Sequence, residues 1–289
     1  MPDGFFAVEK KEGKLNFKVY NTGYETRNES VMNLIKWCDE KYDLPDFNPI
    51  VIGTGDTKRQ QSTRIQYSFS SLDGKNTIPD FNFDHWRQVK LLNYEKATKE
   101  LNEIDLDNYE ELKVGWIGSC RTSRIRHKAF IMSGRFPDRF DIKDSGSWEK
   151  NKKKKTDVLE AKNKNFMSIK ELAEKYAILI DIEGFGYSGR LKYLFHTGRP
   201  VLLVDRPYKE FFFDELTPYV HYIPVDRRLS NLMRQTDWVI RNYDRAKKIG
   251  LNGRYFAQEY LTRDNALKFY KQIFEKHKIK DIKEIEVKL

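Results

Sequence analysis

From Asp181 to Arg190 the chain reads Asp-Ile-Glu-Gly-Phe-Gly-Tyr-Ser-Gly-Arg, directly after the apolar run Tyr176 to Ile182. Gly184, Gly186 and Gly189 let a backbone approach a ligand closely, Ser188 stands where a helix would be capped, and Arg190 falls on the first helical turn. Amides at a helix N-terminus beside a guanidinium make a site for a phosphate or diphosphate. The same spacing also suits an ordinary strand-to-helix turn whose glycines serve geometry alone. A second loop of this kind is Gly118-Ser119-Cys120-Arg121-Thr122-Ser123, again glycine, hydroxyls and arginine, between Lys113–Ile117 and a segment at helical spacing from Arg124 to Ser133. His196 and His221 have no companions at metal-ligand spacing and read as structural.

Both loops need strands behind them and helices after them. Tyr176–Ile182 and Val201–Val204 are apolar throughout, which suits a parallel sheet buried on both faces, with the segment between them as a right-handed crossover. Ligands in such sheets bind at the carboxyl ends of the strands. Earlier in the chain, Leu15, Phe17 and Val19 alternate as an edge strand does, and Asn28 caps a helix whose Val31, Leu34, Ile35 and Cys38 share a face. Pro49–Gly53 and Arg64–Ser70 read as strands, Leu72-Asp73-Gly74 as a turn, and Ile78–Trp86 as an aromatic loop leading to a helix from about Asp84. Tyr208–Leu216 reads as a helix, Val220–Val225 as a strand, and three helices close the chain at about 229–243, 244–260 and 263–276. The class is therefore α/β, with an acidic stretch near residue 110 joining two sets of strands and helices.

The 289 residues carry 53 basic and 43 acidic side chains, a formal charge of +10. Much of that excess crowds into 150–164, a lysine run that reads as a solvated loop. With no zinc-finger spacing and no RNA-binding aromatic signature, nucleic acid ranks low as a partner, and an anionic nucleotide-linked substrate would use the same positive field. No apolar run is long enough for a membrane span, and Met1–Glu12 shows no secretory pattern. Two cysteines, Cys38 and Cys120, are too few for a disulfide framework and read as buried thiols, so the expected compartment is the cytoplasm.

Several separated motifs resemble the CAP10-type glycosyltransferases, glycosyltransferase family 90, which includes protein O-glucosyltransferases and capsule xylosyltransferases. They are Gly118–Arg126, Asp181–Lys192, Glu210-Phe211-Phe212, and Val220–Val225 with Leu229-Ser230-Asn231, in the family's order. The resemblance implies a GT-B fold of two doubly wound Rossmann-like domains facing a cleft, divided here as 1–110, 111–260 and a C-terminal helix and tail over 261–289. It implies a UDP-sugar donor, no metal and no other cofactor, and inversion at the sugar carbon. Ser119, Arg121, Thr122, Ser123, Arg126, Ser188 and Arg190 would then line the diphosphate, and Asp181 to Gly186, with Glu183 and Gly184, would pass the nucleoside.

Inversion needs a general base on the acceptor side. The family's aspartate lies a few residues before the proline matched to Pro79, where this chain has Lys75 and Asn76. Asp73 takes the role by a small loop shift, with Asp80 and Asp56 behind it; Asp73 equally reads as a turn residue. Phe81, Phe83, His85 and Trp86 offer flat rings for an acceptor sugar or for core packing. The resulting expectation is a metal-independent transfer from a UDP-sugar, xylose ahead of glucose, to a glycan or protein hydroxyl. The alternative is a degenerate member that binds nucleotide or glycan without turnover.

Overall fold

A computed structural model describes residues 4–23, 25–56, 65–146, 148–150, 159–161 and 166–279. The chain opens with β1 (Phe5–Lys11), β2 (Lys14–Asn21), α1 (Glu25–Tyr42) and β3 (Phe47–Gly53). After α2 (Tyr94–Asn102) come β4 (Glu111–Gly118), α3 (Arg124–Arg135), β5 (Phe140–Asp144) and the short strands β6 (Trp148–Lys150) and β7 (Leu159–Ala161). The rest runs α4 (Ile169–Lys175), β8 (Tyr176–Asp181), α5 (Leu191–His196), β9 (Val201–Val204), β10 (Ile223–Val225), α6 (Leu232–Arg241), α7 (Tyr243–Tyr260) and α8 (Arg263–Lys276).

The principal sheet has the order β10-β9-β8-β4-β5, and every pairing in it is parallel. Its strands are covered on both faces: Leu179, Val201 and Leu203 enter one core, while Ile178, Ile180, Leu202 and Val204 enter another. This two-sided burial is why the strands read as continuous apolar runs. The α/β class expected from the sequence is therefore the observed one.

The first sheet takes a different form from the second doubly wound domain that was expected ahead of residue 110. Its order is β2-β1-β3, and both pairings are antiparallel. The cause is local: β1 and β2 are joined through Glu12 and Gly13, both at positive φ, and a two-residue hairpin of that kind can join only antiparallel strands. On α1, Val31, Leu34, Ile35 and Cys38 are fully buried at the expected spacing. The helix begins ahead of the expected cap, because the Asn28 side chain instead bonds Thr54 Oγ1 and the Asn21 carbonyl. The last helix returns to this sheet: α8 packs on α1, and Phe274 stacks on Phe47 with centroids 4.5 Å apart.

Other expectations change as well: Ile65–Ser70, read as part of a strand, makes only isolated bridges, Tyr67 to Ile52 and Ser68 to Thr77. Tyr208–Leu216 forms only a 3₁₀ turn at Phe213–Glu215, and the helix from Asp84 is replaced by 3₁₀ turns at Phe81–Phe83 and Arg87–Val89 ahead of α2. The lysine run over 150–164 falls largely outside the described residues, as does Arg64. Cys38 and Cys120 are free and buried, and burial pushes their thiols up to about 12 and about 11. No described helix is long and apolar enough to cross a membrane.

Candidate functional site

The chain reverses direction across the principal sheet between β4 and β8: β5 lies on the outer side of β4, and β8, β9 and β10 step away on the other. Loops at the carboxyl ends of such a pair open into a common crevice. Both loops singled out in the sequence, Gly118–Ser123 and Asp181–Arg190, meet there.

Trp116 in β4 organises the crevice wall. The guanidinium groups of Arg126 and Arg190 each lie 5.2 Å from the centre of its indole. Arg126 is buried and bridges the two loops, with Nε and Nη2 donating to the Ile182 carbonyl, and Nη1 to Thr122 Oγ1 at 2.8 Å and the Ser119 carbonyl at 3.3 Å. Arg190 donates to the Ile117 carbonyl. Neither has a carboxylate partner among the described residues. Burial, then the like charge of Arg190, lowers Arg126 to about 9, and burial lowers Arg190 as well; both stay charged at neutral pH.

Gly118 is what lets Arg190 come this close. A Cβ there would stand 2.8 Å from the Trp116 ring and 2.9 Å from Arg190 Nη2. Gly118→Ala is therefore expected to cost about 1–3 kcal/mol of stability, an overpacking effect, in denaturant unfolding. Gly184→Ala is the control, since its Cβ would meet nothing nearer than 3.5 Å, and it should leave stability nearly unchanged.

Behind this wall lies a buried polar network. Asp181, fully buried, accepts from Ser188 Oγ at 2.6 Å and is ion-paired with Arg206, also buried. Glu183 pairs with Arg227 Nη2 at 2.8 Å, while burial raises its carboxyl. Glu210 is buried near Lys192 and Arg206, and burial lifts it to about 8. Of the residues expected to meet the diphosphate, Ser123 caps α3 by accepting from Ile125 N, Arg121 is exposed, and Ser119 is buried. Gly186 is buried and Gly184 half-buried. Arg206, Trp116 and Gly118 were not among the assigned site residues. Arg206 had an available signal, since it follows the apolar run of β9 at a strand's carboxyl end.

An apolar cavity opens beside Arg190, with about 560 Å³ of empty space including its mouth. Trp86, Ile117, Phe166, Met167 and Leu194 line it, with Gly118 and Arg190 at one wall. Trp86 reaches this space, whereas Phe81, Phe83 and His85 are buried. His85 Nδ1 lies 2.8 Å from Asp84 Oδ2 and its ring packs by Ser30 on α1. His196 is buried against Asn102 and Tyr94, and burial lowers it to about 4.

The candidate carboxylates sit in three settings. Asp73 is exposed, on a turn that the Ser71–Lys209 bridge docks against the segment following β9. Its Oδ1 accepts from Lys75 N and Ser71 Oγ, each at 3.1 Å, and these bonds hold the carboxyl below its usual range. Asp80 is buried and ion-paired with Lys192 at 2.9 Å. Asp56 pairs with Arg27 at 2.7 Å. Among the described residues, no cluster of three His, Cys, Asp or Glu side chains could hold a metal ion.

The family described as Glycosyl transferase family 90 matches residues 5–283. The chain belongs to glycosyl transferase family 90. This member is 37% identical over 103 residues to protein O-glucosyltransferase 2 of Danio rerio, a match covering 36% of this chain and 21% of that protein. It is 34% identical over 103 residues to human protein O-glucosyltransferase 1, covering 36% of this chain and 26% of that protein. The match thus spans only about a fifth to a quarter of these relatives' length. Among solved structures, TarM overlaps 58% of the family 90 chain and 36% of its own, at a TM-score of 0.43 and 15% identity. Anabaena HepE in complex with UDP-glucose overlaps 63% and 44%, at a TM-score of 0.38 and 8% identity.

Proposed function

We propose that this family 90 chain is a glycosyltransferase that moves a sugar from a UDP-sugar to a hydroxyl of a glycan or protein, with inversion and without a metal. The observation that carries the reading is the pair Arg126 and Arg190. Two guanidinium charges stand at the strand ends, Arg126 buried and Arg190 half-buried, bonded to carbonyls and a hydroxyl and to no described carboxylate. The nearby Asp181 carboxylate offsets them only in part, being itself paired with Arg206, and a diphosphate would neutralise the positive charge that is left. Arg190, with one such bond to a carbonyl, reaches the ligand directly, while Arg126 supplies field and fixes the two loops. The apolar cavity next to Arg190 takes the flat nucleobase, which suits its Trp86, Phe166 and Met167 lining.

In the transfer, these cations stabilise charge building on the departing diphosphate. Asp73, on the turn that the Ser71–Lys209 bridge docks against the segment after β9, takes the acceptor hydroxyl's proton as that oxygen attacks the sugar carbon. The names of the relatives weigh toward glucose; xylose, which lacks only the C6 hydroxymethyl group, is the next donor. The second reading, binding without turnover, draws on Lys75 and Asn76 standing where the family's aspartate is expected.

The test is UDP release from a panel of UDP-sugars without acceptor, beside UDP affinity by calorimetry in wild type and Arg190→Ala. One sugar giving release identifies the donor. Losing the Arg190 charge-assisted contact should weaken UDP binding by roughly 1.5–3 kcal/mol, about 10- to 150-fold. Unchanged affinity in that variant would reject the phosphate site, and firm UDP binding with no release or transfer would favour the non-catalytic reading.

A further inference from the structure

The segment that carries Arg190 is held from the other half of the molecule. Asp80, in the loop between β3 and α2, has a carboxylate that is 3% exposed, and the ammonium of Lys192 facing it on α5 is 1% exposed. Asp80 Oδ2 accepts from Lys192 Nζ at 2.9 Å and Asn82 Nδ2 at 3.0 Å, and Oδ1 accepts from Asn82 N at 3.2 Å. Lys192 Nζ and Asn82 Nδ2 then converge on one acceptor, the Gly189 carbonyl, at 3.2 and 3.1 Å. The fit leaves no room for a side chain at that residue, since a Cβ on Gly189 would stand 2.6 Å from Asn82 Nδ2. The loop bearing Asp80 is itself tied down, with Tyr193 OH donating to the Asn82 carbonyl and Tyr270 OH on α8 to that of Pro79.

A buried ion pair adds little stability over apolar residues of the same shape, because desolvation offsets its attraction. What it does supply is a fixed donor at a fixed place. Here that place is the carbonyl of the residue immediately before Arg190. An apolar pair could fill the volume but could not hold Gly189 by its oxygen.

We propose that Asp80, Lys192 and Asn82 are positioning residues for the donor site: they clamp Gly189 across the two halves of the molecule and so aim the Arg190 guanidinium at the diphosphate. Asp80 in this role transfers no proton. The inference rests on the glycosyltransferase reading above and adds the device that orients its principal cation.

The experiment uses Asp80→Asn/Lys192→Met, which removes both charges together so that neither is left buried alone, and Asn82→Ala as a milder variant that breaks the bond to Gly189. Hydrogen exchange of the ligand-free proteins reads the clamp itself, and UDP affinity by calorimetry reads its consequence. Exchange over 189–193 should speed up in both variants, and UDP affinity should fall by about tenfold, the size of one lost charge-assisted contact. In an Arg190→Ala background the same changes should cost no further affinity, because residues acting through one group are not additive. Faster exchange with unchanged affinity would reduce the trio to scaffold, and an additive loss in the Arg190→Ala background would show that it acts elsewhere. If wild type binds no UDP, both proposals fall; if wild type binds and the variants bind equally well, only the clamp falls.

Discussion

Asp73→Asn is expected to slow sugar transfer by about 10²–10⁴-fold, the usual effect of removing a general base, while leaving UDP affinity unchanged. The separation follows from placement: Asp73 is on the turn docked against Lys209, while the cations proposed for the donor are Arg126, in the first turn of α3, and Arg190, at the start of α5. Hydrogen bonds from Lys75 N and Ser71 Oγ lower its pKa, so it is ionised across the neutral range. Transfer should therefore hold steady down to the ordinary carboxylate range and fall only below it. Asparagine keeps an oxygen for both hydrogen bonds and so preserves the turn, which makes a rate loss a loss of basicity. If Asp73→Asn transfers at the wild-type rate, Asp73 is a turn residue, and Asp56→Asn becomes the next variant to measure.

How much of this was legible depended on the reach of each signal. The strands Tyr176–Asp181 and Val201–Val204 were readable because continuous apolar runs ended by glycine or a charged residue are local facts. The loops after β4 and β8 were readable for the same reason. The segment after β9 reads as a helix over Tyr208–Leu216, yet Phe212 and Phe213 enter the core and Phe211 packs against it, Phe211 against Phe83 and Phe269 and Phe212 against Phe256. Three consecutive side chains cannot share one face of a helix, where neighbours point about 100° apart, and packing favoured an irregular path.

The inner wiring of the site was less legible still. Ser188 looked like a helix cap, but its hydroxyl goes to Asp181, and Asp181 goes on to Arg206. Asp80 looked like a base, but it faces Lys192 from 112 residues away. No periodicity announces a pairing at that separation, and residue type alone cannot distinguish a carboxylate kept free for chemistry from one held by an ammonium.

Glu210 carries the largest stability effect. The buried network holds the cations Lys192 and Arg206, already paired with Asp80 and Asp181, so an ionised Glu210 would add a third carboxylate to two satisfied cations. Burial accordingly lifts it from 4.5 to about 8, and it is mostly protonated at neutral pH. In the unfolded chain it ionises near its ordinary value. Between those two values the folded state binds the extra proton, so stability falls as pH rises. The contribution is intact below about pH 4.5 and lost as pH passes 8, a change of order 3–5 kcal/mol. Glutamine mimics the protonated acid, so Glu210→Gln should match wild type near pH 5 and exceed it progressively toward pH 8 in denaturant unfolding. His196, buried neutral, works in the opposite sense, its contribution declining as pH falls from 6.5 toward 4, but it is present in both proteins and cancels in the difference. Parallel stability curves for wild type and Glu210→Gln from pH 5 to 8 would mean that Glu210 is ionised in the fold and that the network holds three carboxylates against two cations.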